Sequence, residues 1–496
     1  MKTWQIGILY LSFIICCLIC KEGMTSRDGV VYMQLGQRFY EGDYRAVFYH
    51  PQHPLTAVCI GSLMHLGCSA LSAGLLLCVV AVALSLWAVK SLTELIYGEE
   101  ASKWSLFFLV ANPFVLTYAT NILSDPLYWA GLWGGFFFFT RYWYLDKEKN
   151  MLWGGLSFGV AYLTRPEGLV LAVCSLALML VLCLKHKKSL RPVAVGVAAL
   201  MSMVLPLVWV FYRISGELHL SMKLDFLRKL GFGSYLDLNN RSMGKELIII
   251  PDLQIAKEDD RVIFSEMSFL GKIENYFDHF VSNFFSVFYV LVVLLVIALC
   301  YKNKEVFRKG KIVFCLIFAM LLVLHLKWFD TYYLSRRHMI PLVFAVSIWS
   351  GPLFLLIKSR WNKKYVVLFL VLVSVYGVGR ASNCYKSNEG RRKNFRVNYK
   401  DLGESLKNRP EPYLISFDNR IAWFAGNKIF LEAPLIEDPI AYYHKVEKVL
   451  KHKVIVVVNR RRPHNSLSFK VLDQGLLASG WKRHVEKENL ISYVKN

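Results

Sequence analysis

The sequence predicts a mainly α-helical, polytopic membrane protein with a small α/β domain at its C-terminal end. Three observations predict this. Hydrophobic residues make up 55% of the 496, and the mean hydropathy is positive. Apolar runs near the roughly 20 residues needed to cross a bilayer recur as far as residue 380. Beyond that point the long runs stop and the composition becomes that of a globular domain. A soluble chain of this length would instead divide into a few domains with polar surfaces between them.

The first apolar run, Trp4 to Cys20, follows Lys2, and no small-residue cleavage site comes after it. It reads as an uncleaved anchor with a cytoplasmic N-terminus. Further spans are expected at 71–92, 104–121, 126–145, 151–164, 168–184, 193–212, 281–300, 312–328, 339–357 and 364–380. With the first, that makes about eleven. The run 55–66 is too short and too polar at its flanks, and is expected at the membrane interface. The alternation then puts the basic clusters "KHKKSLR", "YKNKEVFRKGK" and "KSRWNKK" on the cytoplasmic side, as the positive-inside rule requires. Outside lie 21–55, the turns at 120–126 and 163–168, the loop 213–280, the segment 328–338 and the tail. Two domains result: residues 1–380 in the membrane, with external loops 21–55 and 213–280, and an extracytoplasmic domain over 381–496. In the tail, "PYLISF" and "KVIVVV" read as buried strands and "AYYHKVEKVLK" as a helix.

The formal charge of +23 would suit a nucleic-acid partner. Its distribution argues otherwise, because the basic residues cluster between apolar runs, where they set orientation and meet lipid head groups. No basic, aromatic-interleaved groove motif accompanies them, so membrane lipids are expected partners and nucleic acid is not. Most of the eleven cysteines lie inside apolar runs, without metal or disulfide spacing. Cys384 alone lies in the tail, which excludes a disulfide within that domain.

The unusual polar motifs all fall on the predicted external face. After Asp28, the residues Val31, Leu35 and Phe39 recur every four positions, which predicts a short amphipathic helix on the membrane surface. Asp28 stands at its start, where it either caps the helix, as Ser26 also can, or does chemistry. Asp125, before Pro126, stands at the mouth of a span with the same two readings. Two such carboxylates can hold a divalent cation or divide basic and electrostatic roles. Arg165 and Glu167 interrupt an otherwise apolar stretch, either as a tight turn reaching head groups or as functional charges. Arg336, Arg337 and His338 stand together against the positive-inside bias and suit an anion such as a phosphate, or lipid head groups. His50 and His53, in "HPQHP", can ligate a metal, with Asp125 as a third candidate ligand, or contact phosphate. Multi-span chains with buried charge also include transporters of lipid-linked substrates, but no paired-halves symmetry is visible here.

The order of these motifs resembles the GT-C superfamily of membrane glycosyltransferases. It runs "DGVVYMQLGQRFYEGD", "HPQHPL", "NPFVLTYATNILSDPLYW", "GVAYLTRPEGLV" and "YLSRRHMIPL". The likeness is greatest to the bacterial branch related to protein O-mannosyltransferases and lipid A aminoarabinose transferases, and is strongest over 25–170. The resemblance implies a GT-C fold in a bacterial inner or plasma membrane. It also implies a polyprenyl-phosphate sugar donor and a glycolipid, glycan or protein acceptor, joined outside the cytoplasm. It matches Asp28 to the catalytic acidic residue of the first external loop and Asp125 to the acidic position of the second. Arg336 and Arg337 match a basic pair near the donor phosphate, with His338, Arg165 and His53 as further candidates to contact it. A divalent ion (Mg, Mn or Zn) is the cofactor this pattern admits. The chain departs from many relatives in carrying Gly29 after Asp28, and in placing His50 and His53 where a Glu or a Pro-Pro pair is common.

Overall fold

The structure is a computed structural model. It describes most of residues 5–15, residues 26–216 apart from 51, positions 218, 220, 221, 320 and 321, and residues 336–372 apart from 363. In the tail it describes 401–411, 413–416, 429–432, 454–459, 469–487 and 490–495, with positions 421, 425 and 443. These residues fall into two compact units, one within 1–382 and one within 383–496. The expected spans 281–300 and 312–328 (but for 320–321), the loop from 222 to 280, the segment 328–335 and the helix 441–451 (but for Tyr443) lie outside the described residues.

The first unit is helical and is that of a multi-pass integral membrane protein. Helix α1 (Arg27–Tyr40) is followed by α2 (Tyr44–Tyr49) and α3 (Leu55–His65). Ser26 caps α1, its hydroxyl accepting the Gly29 N–H at 2.9 Å. The cap is therefore Ser26 and not Asp28, which sits one residue into the first turn. The Val31–Leu35–Phe39 face, expected on the lipid surface, packs instead with Val47 and Ala57 of α2 and α3. Two glycines permit the close crossing of α1 and α3. A Cβ on Gly36 would stand 2.5 Å from Ile60 Cγ2, and one on Gly61 2.7 Å from the Gly36 carbonyl. With eleven residues, α3 is only about 17 Å long, too short to span.

Next come α4 (Ala70–Tyr97), α5 (Glu99–Val110) and α6 (Pro113–Ala119). The expected single span 104–121 is instead two helices, broken at Asn112. Pro113 drives the residue before it out of the helical region, and Asn112 lies at φ −77°, ψ 115°. The Asn112 side chain then caps the restart, accepting from Phe114 N at 3.0 Å. The remaining helices are α7 (Asp125–Leu145), α8 (Lys149–Thr164), α9 (Glu167–Lys185), α10 (Arg191–Ser215) and α11 (Arg336–Arg360). Among the described helices, α4, α9, α10 and α11 are long and apolar enough to cross a membrane. Helix α8 packs between α7 and α10, and α11 packs against α5. At the last of these contacts Gly351 lies against the backbone of Ala101, and its N–H donates to Ser105 Oγ at 3.0 Å.

The second unit carries a five-stranded mixed sheet. Its strands are β1 (Tyr413–Ser416), β2 (Ile429–Glu432), β3 (Val454–Asn459), β4 (Trp481–Lys487) and β5 (Leu490–Lys495), with α12 (Phe469–Ala478) before β4. The order is β2-β1-β3-β5-β4, with β1 parallel to β2 and β3, and β5 antiparallel to β3 and β4. Leu402, Leu406, Leu414, Ile455 and Val457 form its core. β1 and β3 are the two runs read as strands from their apolar, β-branched composition.

Because a side chain at 351 would meet backbone rather than a movable side chain, Gly351→Val should destabilise the first unit. Overpacking of this kind costs about 1–3 kcal/mol. The check is a lowered unfolding temperature of the detergent-solubilised protein.

Candidate active site

Three helix starts and one tight turn bring the polar motifs to one place. Asp28 comes from the first turn of α1, Asp125 from the first turn of α7, and Arg337 from the first turn of α11. Arg165 comes from the turn between α8 and α9, which is tight because Gly168 lets α9 start directly against the Ala161–Tyr162 backbone. These side chains line one cleft, together with Tyr32, Gln52, His53, Ser124, Thr164 and Glu167.

Two arginines organise the cleft, and their ion pairs differ in kind. Arg165 donates to Asp125 and, through two further N–H groups, to both carboxylate oxygens of Glu167 at 3.1 and 3.4 Å. The Arg165 and Asp125 side chains are only 10% and 4% exposed. Burial works against the charge on Arg165, but the attraction of Asp125 and then Glu167 outweighs it and raises its pKa. The Tyr128 ring lies 5.7 Å from its guanidinium carbon and adds a cation–π contact. By contrast, Arg337 Nη1 donates to Asp28 Oδ2 at 2.7 Å with side chains 28% and 46% exposed. A pair so exposed contributes about 0–1 kcal/mol, whereas removing one partner of a buried pair costs about 3–5 kcal/mol. The buried pair is therefore the more costly of the two to break.

The other candidates are placed as follows. His53 is buried in the cleft wall, its Nε2 2.9 Å from Ser221 Oγ and its ring edge-on to Tyr162. His338 lines an adjoining, more apolar cavity that shares Asp125, Arg165, Glu167 and Arg337 with the cleft. His50 ends α2, its Nδ1 accepting the Gln52 N–H at 3.1 Å, and does not line the cleft. Arg336 starts α11 beside Arg337. The expected metal set of Asp125, His50 and His53 is not assembled: among the described residues no three His, Cys, Asp or Glu side chains are grouped to hold an ion. Asp125 is turned to Arg165 instead, so these donors do not fit a divalent cation.

Sequence reasoning missed Tyr32, Gln52, Ser124 and Thr164. Tyr32 is buried, donates to Gln52 Oε1 at 3.0 Å, and has its pKa raised, chiefly by burial, so it remains a protonated hydroxyl. Its signal was present: it stands four residues after Asp28, on the same helical face. Gln52 lies between His50 and His53, and no local pattern marks it.

No protein-family model matches the chain, and no curated protein matches it in sequence. Solved structures do. ArnT from Cupriavidus metallidurans in the apo state superposes with a TM-score of 0.64 at 12% identity, covering 98% of this chain and 97% of that one. The same protein bound to undecaprenyl phosphate gives 0.63 at 13%, covering 100% and 98%. The apo oligosaccharyltransferase of Archaeoglobus fulgidus gives 0.54 at 13%, covering 92% of this chain and 70% of that one.

Arg165→Gln should leave Asp125 and Glu167 buried without their cation and lower stability by about 3–5 kcal/mol. Asp28→Asn should change it by less than about 1 kcal/mol. Thermal unfolding of both variants in one detergent checks the contrast. Over nearly its whole length, the chain has the fold of ArnT from Cupriavidus metallidurans and, less closely, of the Archaeoglobus fulgidus oligosaccharyltransferase.

Proposed function

We propose that the protein is an integral membrane glycosyltransferase. It moves a sugar from a polyprenyl-phosphate donor to a hydroxyl of a glycolipid, glycan or protein acceptor. The reaction takes place on the extracytoplasmic face and inverts the anomeric centre. The observation that carries this reading is the convergence of Asp28, Asp125, Arg165 and Arg337 on one cleft within an ArnT-like fold. That ArnT has been crystallised with undecaprenyl phosphate supports the donor class. The clustering of basic loops opposite the cleft motifs supports the orientation.

The chemistry follows from the unequal ion pairs. The donor phosphate is already a leaving group and needs its growing charge neutralised as the sugar–oxygen bond breaks. Arg337 is the guanidinium most easily turned to it, because its present partner is half exposed. Arg165, Arg336, His338 and His53 stand near enough in fold or sequence to share the task. As the phosphate takes Arg337, Asp28 loses its counter-ion and becomes available as a base. The acceptor hydroxyl then attacks the anomeric carbon from the face opposite the phosphate. Its proton passes to Asp28, and the bonding pair of the old C–O bond leaves with the polyprenyl phosphate. One displacement gives inversion, by the geometry that governs inverting hydrolases. Asp125 stays with Arg165 and keeps the wall in place. The polyprenyl tail would run into the adjoining cavity, walled by Trp129, Leu171, Pro341 and Leu342.

A transporter of lipid-linked substrates is less well supported. Transporters place charge at broken helices near the midplane, whereas every charge in this cleft stands at a helix end or turn.

Purified protein is incubated with radiolabelled polyprenyl-phosphate sugar and a membrane extract. Asp28→Asn should lower transfer by about 10²–10⁴-fold with insertion and unfolding temperature intact. Arg337→Gln should mainly raise the KM for donor. Near-normal turnover by Asp28→Asn overturns the assignment of the base.

A further inference from the structure

A second cavity, of about 670 Å³, lies between α2 and the end of α10 and shares no lining residue with the cleft. Tyr44, Arg45 and Phe48 form one wall, and Val210, Arg213 and Ile214 the other. Both arginines are exposed, and neither has a carboxylate at ion-pair distance among the described residues. Asp43, next in the chain to Tyr44, is already engaged: it caps α2 through Ala46 N and pairs with Arg38 at 3.0 Å.

The surroundings of the cavity identify what it would take. Arg213 lies over the Trp209 ring, its guanidinium carbon 5.8 Å from the centroid. Leu205, Trp209 and Tyr212 are 55%, 61% and 48% exposed on a helix apolar enough to cross a membrane. Such a helix end, with exposed aromatics below a cation, is the pattern of the bilayer interface. Exposed apolar residues leading up to two guanidiniums match a molecule with hydrocarbon at one end and an anion at the other. Guanidinium forks are suited to phosphate oxygens, which they bind in pairs. We propose that Arg45 and Arg213 form a binding site for the phosphate of an anionic membrane lipid. Its chains lie along Leu205 and Trp209. The site holds α2, and with it the segment joining α1 to α3, against α10.

The full chain is reconstituted in nanodiscs of equal phosphatidylglycerol and phosphatidylcholine, released, and weighed with its retained lipids by native mass spectrometry. The wild type should retain phosphatidylglycerol in preference. Arg45→Gln/Arg213→Gln should lose that preference about tenfold, and Arg45→Lys/Arg213→Lys should keep most of it. Size-exclusion profiles check that each variant is folded; if the glutamine pair is not, each single glutamine variant should show part of the loss. A parallel arm adds inorganic phosphate to distinguish a lipid from a free anion. Equal retention of the two lipids by the wild type overturns the proposal. Unchanged preference in the glutamine variants does so too, as does displacement of phosphatidylglycerol by inorganic phosphate. None of these readouts depends on sugar transfer.

Discussion

The buried charge of Arg165 is the constraint on which the first unit depends. Taking a guanidinium out of water is costly, and the cost is met only if anions follow it in. Asp125 and Glu167 do so, from the start of α7 and the start of α9. One cation thereby fixes how three consecutive helices, α7, α8 and α9, meet at their polar ends. The cleft exists because those ends cannot separate without exposing an unmatched charge to a low-dielectric interior. Gly168 serves the same arrangement from the steric side, since a larger residue would push α9 away from the Ala161–Tyr162 backbone of α8.

Against that rigid wall, α1 and α11 bring a looser pair. Ser26 takes over the capping of α1, so Asp28 is not needed as the cap and reaches Arg337 instead. Helix α11 reaches the cleft from a contact deep in the bundle, where Gly351 meets α5. About 21 Å of helix separates that contact from Arg337. The position of Arg337 is thus set in part by packing far from the cleft.

Much of this was legible in the sequence, for identifiable reasons. Asp28, Asp125, Arg165 and Arg337 stood out because charge beside long apolar runs is costly and therefore informative. The strands at 413–416 and 454–459 were visible in β-branched runs. Less legible was the break at Asn112, where hydropathy stays high across Pro113 and conceals a change of direction. Also hidden was the environment of the α1 apolar face. Periodicity shows that a face is buried but not whether lipid or protein covers it, and here α3 does. The pairing of Arg165 with Asp125 joins residues forty apart through a fold, and no local pattern announces it. That pairing also removes Asp125 from the metal set that its neighbourhood in the sequence suggested.

The Asp28–Arg337 contact has a further consequence. A cation in the first turn of a helix opposes the helix dipole, so the start of α11 is short of negative charge. Asp28 supplies it from within the chain and, on the function proposed above, competes for the place that a phosphate would occupy. Competition of that kind works in both directions. An anion that displaces Asp28 on arrival is itself displaced when Asp28 returns. On that reading the same contact that delays entry would hasten departure, and such a site would favour turnover over tight binding.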